Sequence, residues 1–265
     1  MKKTETIKFI VDWIKNYKET NNLNGFVVGV SGGVDSALTS TLCASSGIKT
    51  LCLNMPIKQK EEQYQRAKRH IQWLKKRFDN VESVEINLTK VFNKFKLSVE
   101  NNSSINKLAL ANTRSRIRMM TLYYYATINN SIVVGTGNKV EDFGVGFYTK
   151  YGDGGVDISP IADLMKSEVF EISKELKINN EILEAKPTDG LWDDDRSDEE
   201  QIGTTYDDLE KVMNSLERGI KPDEFESDMK EKYIIYMKHH IANKHKMTSI
   251  PVCKIPNKLK SQNSI

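Results

Sequence analysis

Residues 29–36 read Gly-Val-Ser-Gly-Gly-Val-Asp-Ser, directly after the apolar run Phe26-Val27-Val28 and directly before a helical pattern. A glycine string in that position turns sharply, because glycine tolerates positive φ. Its N–H groups and those opening the next helix then converge on one point, where the helix dipole also favours negative charge. The string therefore predicts a phosphate cradle between a strand and a helix. A Walker A loop would follow its last glycine with Lys-Ser or Lys-Thr. Here Val34-Asp35-Ser36 stands instead, and an aspartate beside phosphates makes sense only with a cation between them. The loop reads as built to hold pyrophosphate through Mg²⁺. A plain glycine turn is the bland alternative, which the full Ser-Gly-Gly-x-Asp-Ser string in this context disfavours.

Helix and strand patterns alternate along the chain. Ile7, Ile10, Val11, Ile14 and Tyr17 mark one face of an opening helix. Strands are expected at 26–30, 50–55, 81–86 and 132–135, and helices at 34–46 and 61–78. Strands separated by helix-length crossovers imply an α/β fold: a doubly wound parallel sheet with helices on both faces. Ligands in such sheets bind beyond the carboxyl ends of the strands, where residues 29–36 and the turn after Val134 both fall. At 265 residues a single domain is expected.

The stretch 108–129 carries Ile117, Met119, Met120, Leu122, Tyr123, Tyr124, Tyr125, Ala126 and Ile128, apolar around the whole helix. One face can pack on the sheet; the other needs either a partner chain or the protein's own C-terminal helices. Residues 186–203 hold Pro187, Asp189, Gly190 and seven acidic positions in all, too polar to pack and long for a connector. They read as a mobile lid or loop. Helices are expected at 205–218 and 222–243, with His245-Lys246 beyond the second, and a frayed tail at 258–265.

Composition narrows the classes. A net charge of +3 with 28% charged residues argues against a dedicated nucleic-acid binder. No run approaches a membrane span, and the opening residues form no signal-peptide core. Cys43, Cys52 and Cys253 are too few and too scattered for a disulfide framework or a cysteine metal site. A cytoplasmic protein is expected.

After the fourth strand comes Gly-Thr-Gly-Asn-Lys-Val-Glu at 135–141, a second glycine turn. Magnesium on a nucleotide takes one or two carboxylates, and Asp35 and Glu141 supply them from adjacent strand ends. The string Phe-Tyr-Thr-Lys-Tyr-Gly-Asp-Gly-Gly-Val-Asp at 147–157 suits a loop approaching a ligand closely, though a hairpin turn explains it nearly as well. Arg114, Arg116 and Arg118 splay on a helix, so only one or two can face the site while the rest remain surface charges.

Taken together these strings resemble the NAD synthetase family. The resemblance rests on Ser-Gly-Gly-Val-Asp-Ser at 31–36, Arg-Ile-Arg-Met at 116–119, residues 135–141, Thr-Lys-Tyr-Gly-Asp-Gly-Gly-Val-Asp at 149–157, Lys166, Lys186-Pro187-Thr188 and His245-Lys246. The Ser-Gly-Gly-x-Asp-Ser string alone marks a wider group of ATP pyrophosphatases, and residues 149–155 narrow it. The resemblance implies an adenine nucleotide alpha hydrolase-like fold and ATP-dependent amidation of deamido-NAD by ammonia through an adenylate, releasing AMP and pyrophosphate. It further implies that Gly29, Val30, Ser31, Gly32, Gly33, Val34, Asp35, Ser36, Thr136, Lys166 and Thr188 hold ATP. Asp35 and Glu141 would bind Mg²⁺, and Arg116, Lys150, Asp157, His245 and Lys246 would hold deamido-NAD. Asp153 is a candidate to hold ammonium or take its proton.

A homodimer is expected from the same resemblance, with the 119–125 stretch at its contact. Two departures stand out: Asn138 and its neighbours replace the Asp-His-Ala-Ala of the familiar short bacterial enzymes, and the segment 142–146 runs one residue longer than the common spacing. No glutaminase fits within the chain, so free ammonia is the expected donor, with a separate glutaminase as the alternative supplier. The rival readings are a tRNA-modifying ATP pyrophosphatase, which would carry a basic extension or paired cysteines, and a nucleotide sensor, which could lose Asp35 or Glu141.

Overall fold

The computed structural model describes residues 1–99, 106–188, 190–192 and 196–260. Four parallel strands form one sheet: β1 (Gly25–Gly29), β2 (Lys49–Asn54), β3 (Val81–Glu85) and β4 (Ser131–Val133), in the order β3-β2-β1-β4. The chain winds outward from β1 to β3, then returns past β1 to add β4 on the other side. That reversal opens a crevice at the carboxyl ends of β1 and β4. Val27 pairs with Leu51 on one side and Val133 on the other, which fixes the register of β2, β1 and β4.

Side chains alternate across the sheet with the period of two that a strand imposes. Phe26, Val28 and Ile132 meet α1 (Lys3–Thr20), α2 (Val34–Ser45) and α6 (Lys166–Glu175) on one face. Val27, Leu51, Leu53 and Val133 meet α4 (Thr89–Val99) and α5 (Lys107–Ile128) on the other. Toward β3, Cys52 and Val81 pack against Ala67, Ile71 and Leu74 of α3 (Glu61–Arg77). Each fully buried aliphatic side chain stabilises this core by roughly 1.5–3 kcal/mol relative to exposure.

Beyond the sheet, a π-helix (Val140–Val145) packs with α9 (Tyr206–Glu217) and α10 (Ser227–Met247) around Leu209, Val212 and Tyr236. A short α7 (Asn180–Leu183) and α8 (Asp198–Ile202) precede them. No helix among the described residues is long and apolar enough to cross a membrane.

Several sequence expectations shift. The fourth strand stops at Val133, because beyond it only Val134 bridges, to Ile158. The helix expected over 222–243 is a short turn at Pro222–Glu224 followed by α10, whose last turn contains His245 and Lys246. Those two residues are therefore held by a helix and do not trail it. The acidic segment 186–203 is also less loose than its composition suggests. Ser197 caps α8 by accepting from Glu200 N, and Ile202 is buried, so this end packs. Positions 189 and 193–195 of the expected lid, and 261–265 of the expected frayed tail, lie outside the described residues. Finally, α10 lies on the π-helix and α9, and the outer residues of α5 stay bare. Met120, Tyr124 and Ile128, spaced four apart, are each about 60% exposed. Burial of that face under the C-terminal helices does not occur.

Candidate active site

The loop after β1 is held open by its own serines. Ser36 Oγ accepts from Ser31 N at 3.1 Å and donates to Gly33 O at 3.0 Å, closing the turn around its mouth. Gly32 sits at φ +88°, and a Cβ there would lie 2.6 Å from Gln63 O on α3. Only glycine fits both the conformation and the approach. The N–H groups opening α2, at Val34, Asp35 and Ser36, have no intrahelical acceptors and head the helix dipole. Gly29, Val30, Ser31, Gly33, Val34, Asp35 and Ser36 line one cavity, together with Thr136, Lys166 and Thr188. Of the expected ATP residues only Gly32 stands behind that lining, as its backbone support.

Two carboxylates meet beside the loop. Asp35, on the first turn of α2, and Glu141, on the first turn of the π-helix, both bind Lys166 Nζ, at 2.6 and 2.8 Å. Lys166 opens α6 and is almost fully buried. Asn138, also buried, donates from Nδ2 to Asp35 Oδ1 at 3.0 Å and accepts at Oδ1 from Glu141 N at 3.1 Å. Tyr206 donates its hydroxyl to Glu141 Oε1 at 2.6 Å, its ring 4.9 Å from the lysine ammonium.

The titration of these groups follows from burial and pairing. Burial raises the Asp35 carboxyl; Lys166 opposes that and the Glu141 charge reinforces it. Burial works on Glu141 in the same sense, but Lys166 and the Tyr206 hydroxyl hold it below its ordinary value. Burial disfavours the Lys166 ammonium, yet the two carboxylates outweigh it and keep the lysine charged. The oxygens are hard donors converging on one cation position, the chemistry that suits a magnesium ion completed by waters and phosphate. No group of three or more metal-ligating side chains occurs among the described residues, so a dedicated protein cage is not what they build.

The π-helix explains the extra residue in 142–146. A turn closed by i→i+5 bonds holds one residue more than an α-turn, and Gly146 N bonds Glu141 O in that way. The insertion is absorbed locally, and Asp142 is turned over Gly137. A Cβ at Gly137 would lie 2.0 Å from Asp142 Oδ2, so the second glycine turn is needed to seat this carboxyl. Burial and the charges of Glu141, Asp153 and Asp35 raise Asp142 well above the usual carboxylate range. Asp153 faces the same cavity and accepts from Ser115 Oγ at 2.6 Å and Thr149 N at 3.0 Å. Desolvation raises it, against the pull of those hydrogen bonds.

A second cavity adjoins the first, sharing Met119 and Val156 in its wall. It is lined by Arg116, Lys150 and Lys246 with Tyr123, Tyr148 and Tyr151. Lys150 Nζ donates to His245 O at 3.0 Å, and Lys246 Nζ to Tyr148 O at 2.7 Å. Burial lowers the Lys246 pKa, opposed by Asp153 and Asp142. Of the residues expected around deamido-NAD, Arg116, Lys150 and Lys246 converge here, while His245 adjoins through its backbone carbonyl. Asp157 stands apart: its carboxylate accepts from Val133 N at 2.8 Å and Tyr123 Oη at 2.9 Å, bracing the wall.

The three arginines of α5 take three directions. Arg114 is buried and donates to Leu191 O at 2.6 Å, Arg116 reaches Lys150 O, and Arg118 reaches Met55 O and Gln59. Arg118 joins the first cavity and Arg116 the second, so the surface-charge expectation fails for Arg114, which lies over the Phe92 ring of α4 and against the Leu191 carbonyl. Sequence reasoning also missed Asn138, Tyr206 and Asn54. Asn138 lay in the departure from the familiar short enzymes, which was the signal available. Asn54 lines the first cavity at the end of β2, and its buried Nδ2 has no hydrogen-bond partner.

A glycine cradle and an acid pair at the switch point of a parallel sheet define an α/β protein of the adenine nucleotide alpha hydrolase-like class. The sequence profile of the NAD synthase family matches residues 6–249. The NH(3)-dependent NAD(+) synthetase of Methanosarcina acetivorans is 35% identical over 250 residues, covering 92% of this chain and 95% of its own. Among solved structures, the NMN synthetase from Francisella tularensis matches with a TM-score of 0.82 at 30% identity, over 97% of this chain and 99% of that one. The NH3-dependent NAD synthetase from Campylobacter jejuni, in complex with nitrate, matches with a TM-score of 0.76 at 26% identity, over 96% and 100%. The chain belongs to the NAD synthase family of ligases.

Proposed function

We propose that the enzyme joins ammonia to the nicotinate carboxylate of deamido-NAD, with ATP as the activating co-substrate. A carboxylate oxygen attacks the α-phosphorus of ATP, the bond to the bridging oxygen breaks, and pyrophosphate leaves into the 29–36 loop. Ammonia then attacks the acyl carbon of the adenylate, AMP leaves with the carboxylate oxygen, and the nitrogen loses a proton to give the amide. Attack of one anion on another requires cancelled repulsion and an in-line geometry, which fixed cationic and N–H groups supply.

The N–H groups of the loop, with Thr136 and Thr188, orient the triphosphate. Asp35 and Glu141 would hold a magnesium ion, which when bound neutralises phosphate charge. Lys166 stabilises charge on the same phosphates. Arg116, Lys150 and Lys246 bind the dinucleotide in the second cavity, and Asp153 holds the incoming nitrogen and takes its proton. The observation that carries this reading is the shared wall: Met119 and Val156 line both the glycine-loop cavity and the basic cavity. Two nucleotides seated there would meet at that wall, beside Asp153.

The finer assignments belong to the same proposal. The enzyme acts in the cytoplasm as a homodimer, with the bare stripe Met120-Tyr124-Ile128 of α5 covered by a second copy. Tyrosine and methionine are enriched in interface cores, and a two-fold contact is self-complementary. Free ammonia is the donor.

A second acceptor is favoured by one observation, the similarity to a solved structure named as an NMN synthetase. On that reading the same chemistry acts on nicotinate mononucleotide. Pyrophosphate release from ATP, measured with deamido-NAD, nicotinate mononucleotide, tRNA or no acceptor, separates the readings. Ammonium-dependent release that is fastest with deamido-NAD is expected. Preference for the mononucleotide establishes the second reading, and release with tRNA alone overturns both.

A further inference from the structure

The cation held between Asp35 and Glu141 is a lysine. Lys166 Nζ lies 2.6 Å from one carboxylate and 2.8 Å from the other, with only 4% of its side chain exposed. It occupies the position those two residues would give a divalent ion, and two cations cannot share it. We infer that Lys166 is a place-holding cation, which yields its position between Asp35 and Glu141 to the divalent ion only as the nucleotide enters. The inference rests on the proposed roles of Asp35 and Glu141 and adds a coupling between metal and nucleotide.

The physical argument runs through charge. Two partly buried carboxylates without a cation would carry a large desolvation penalty, so the resting site must keep one. The lysine meets that need from within the chain, and Tyr206 adds its hydroxyl to Glu141 and its ring to the ammonium. An incoming ion alone would have to push the ammonium off both carboxylates into a cavity whose other acids already have their places. Asp153 bonds Ser115 and Thr149, Asp198 faces the Tyr206 hydroxyl, and Asp142 sits over Gly137, so no fresh anionic acceptor arrives with the ion. An ion entering with a triphosphate brings that acceptor. Lys166 lines the same cavity as Val34, Asp35 and Ser36, and its stem is flexible enough to swing its ammonium from the carboxylates to phosphate oxygens. Metal and nucleotide then bind with positive coupling, each favouring the other by the same factor. The enzyme would bind free divalent ions poorly and the ion–nucleotide pair well.

Manganese, a paramagnetic substitute for magnesium, tests this by titration without nucleotide. Removing the competing ammonium in Lys166→Met should tighten Mn²⁺ binding at least about tenfold over the wild type. The double variant Lys166→Met/Asp35→Asn should lose that gain. If Lys166→Met binds Mn²⁺ no more tightly than the wild type, the place-holding role is wrong. Lys166→Gln, which keeps a polar group beside both carboxylates, carries the same comparison if the methionine variant does not fold. Failure of the metal assignment would look different. In that case Asp35→Asn alone would leave binding of the Mn²⁺–ATP pair unchanged, whatever Lys166→Met does.

Discussion

Asn138 Nδ2 donates to Asp35 Oδ1 at 3.0 Å, across 103 residues of chain. The same amide accepts from Glu141 N, so one buried side chain sets both carboxylates relative to each other. Partners of metal ligands fix ligand orientation, and their loss typically weakens metal affinity by about 10–100-fold. Asn138→Ala should therefore raise the Mg²⁺ concentration for half-maximal activity about tenfold. The far-ultraviolet spectrum should remain that of the wild type. An unchanged Mg²⁺ requirement would place the control of Asp35 elsewhere.

Arg116 donates to Lys150 O and lines the second cavity, away from the glycine loop. Hydrogen bonds to charged groups contribute about 1.5–3 kcal/mol. Arg116→Ala should thus raise the KM for deamido-NAD roughly tenfold or more while leaving the KM for ATP within about twofold. Steady-state kinetics with each substrate varied in turn gives the split. An equal rise in both would mean that the two cavities do not divide the substrates as proposed.

The outward stripe of α5 gives a sharp test of assembly. Tyr124 is 62% exposed in the isolated chain, midway between Met120 and Ile128. A glutamate placed there would meet its two-fold mate or its surroundings twice. If the proposed dimer forms through this stripe, Tyr124→Glu should leave a monomer of 30.3 kDa by light scattering, with loss of activity. A wild-type protein that is monomeric and fully active would contradict the assembly.

His70 makes stability depend on pH. It is fully buried on α3, with Nε2 3.0 Å from Ser40 Oγ, and burial pushes its pKa down from 6.5 to about 4. Below pH 6.5 the unfolded chain protonates this imidazole while the folded one does not. Stability should therefore fall as pH drops from 6.5 to 4, then gain no further loss from this group. The full effect is roughly 3 kcal/mol. Denaturant midpoints of His70→Gln and wild type should converge as pH falls through that window. Parallel curves would mean that the imidazole titrates normally in the fold.

Much of the architecture was legible because it rests on short-range rules. The apolar run before Gly29 and the glycines after it fix a strand, a turn and a helix, and alternation with helical periods fixes a parallel sheet. The meeting of Asp35 and Glu141, both on Lys166, was legible because each follows the carboxyl end of a strand beside the same crevice. Tyr206 was not legible: it reaches Glu141 across 65 residues, and on a helix reading its ring is ordinary core. The position of Lys166 between both acids was equally hidden, since lysine at a helix start looks like a surface charge. His245 and Lys246 were misplaced because α10 continues through polar residues, with only Tyr236 fully buried along its length, so periodicity faded before the helix ended. Asp157 resembled a ligand by motif, yet its bonds to Val133 and Tyr123 depend on how the loop folds back on β4.

The central claim is that a carboxylate oxygen attacks ATP before nitrogen arrives. Deamido-NAD carrying ¹⁸O in the nicotinate carboxylate tests it directly, with ATP, Mg²⁺ and ammonium and mass analysis of the products. The account predicts one ¹⁸O in the phosphate of AMP and none in pyrophosphate. Label in pyrophosphate, or NAD formed with unlabelled AMP, would contradict it.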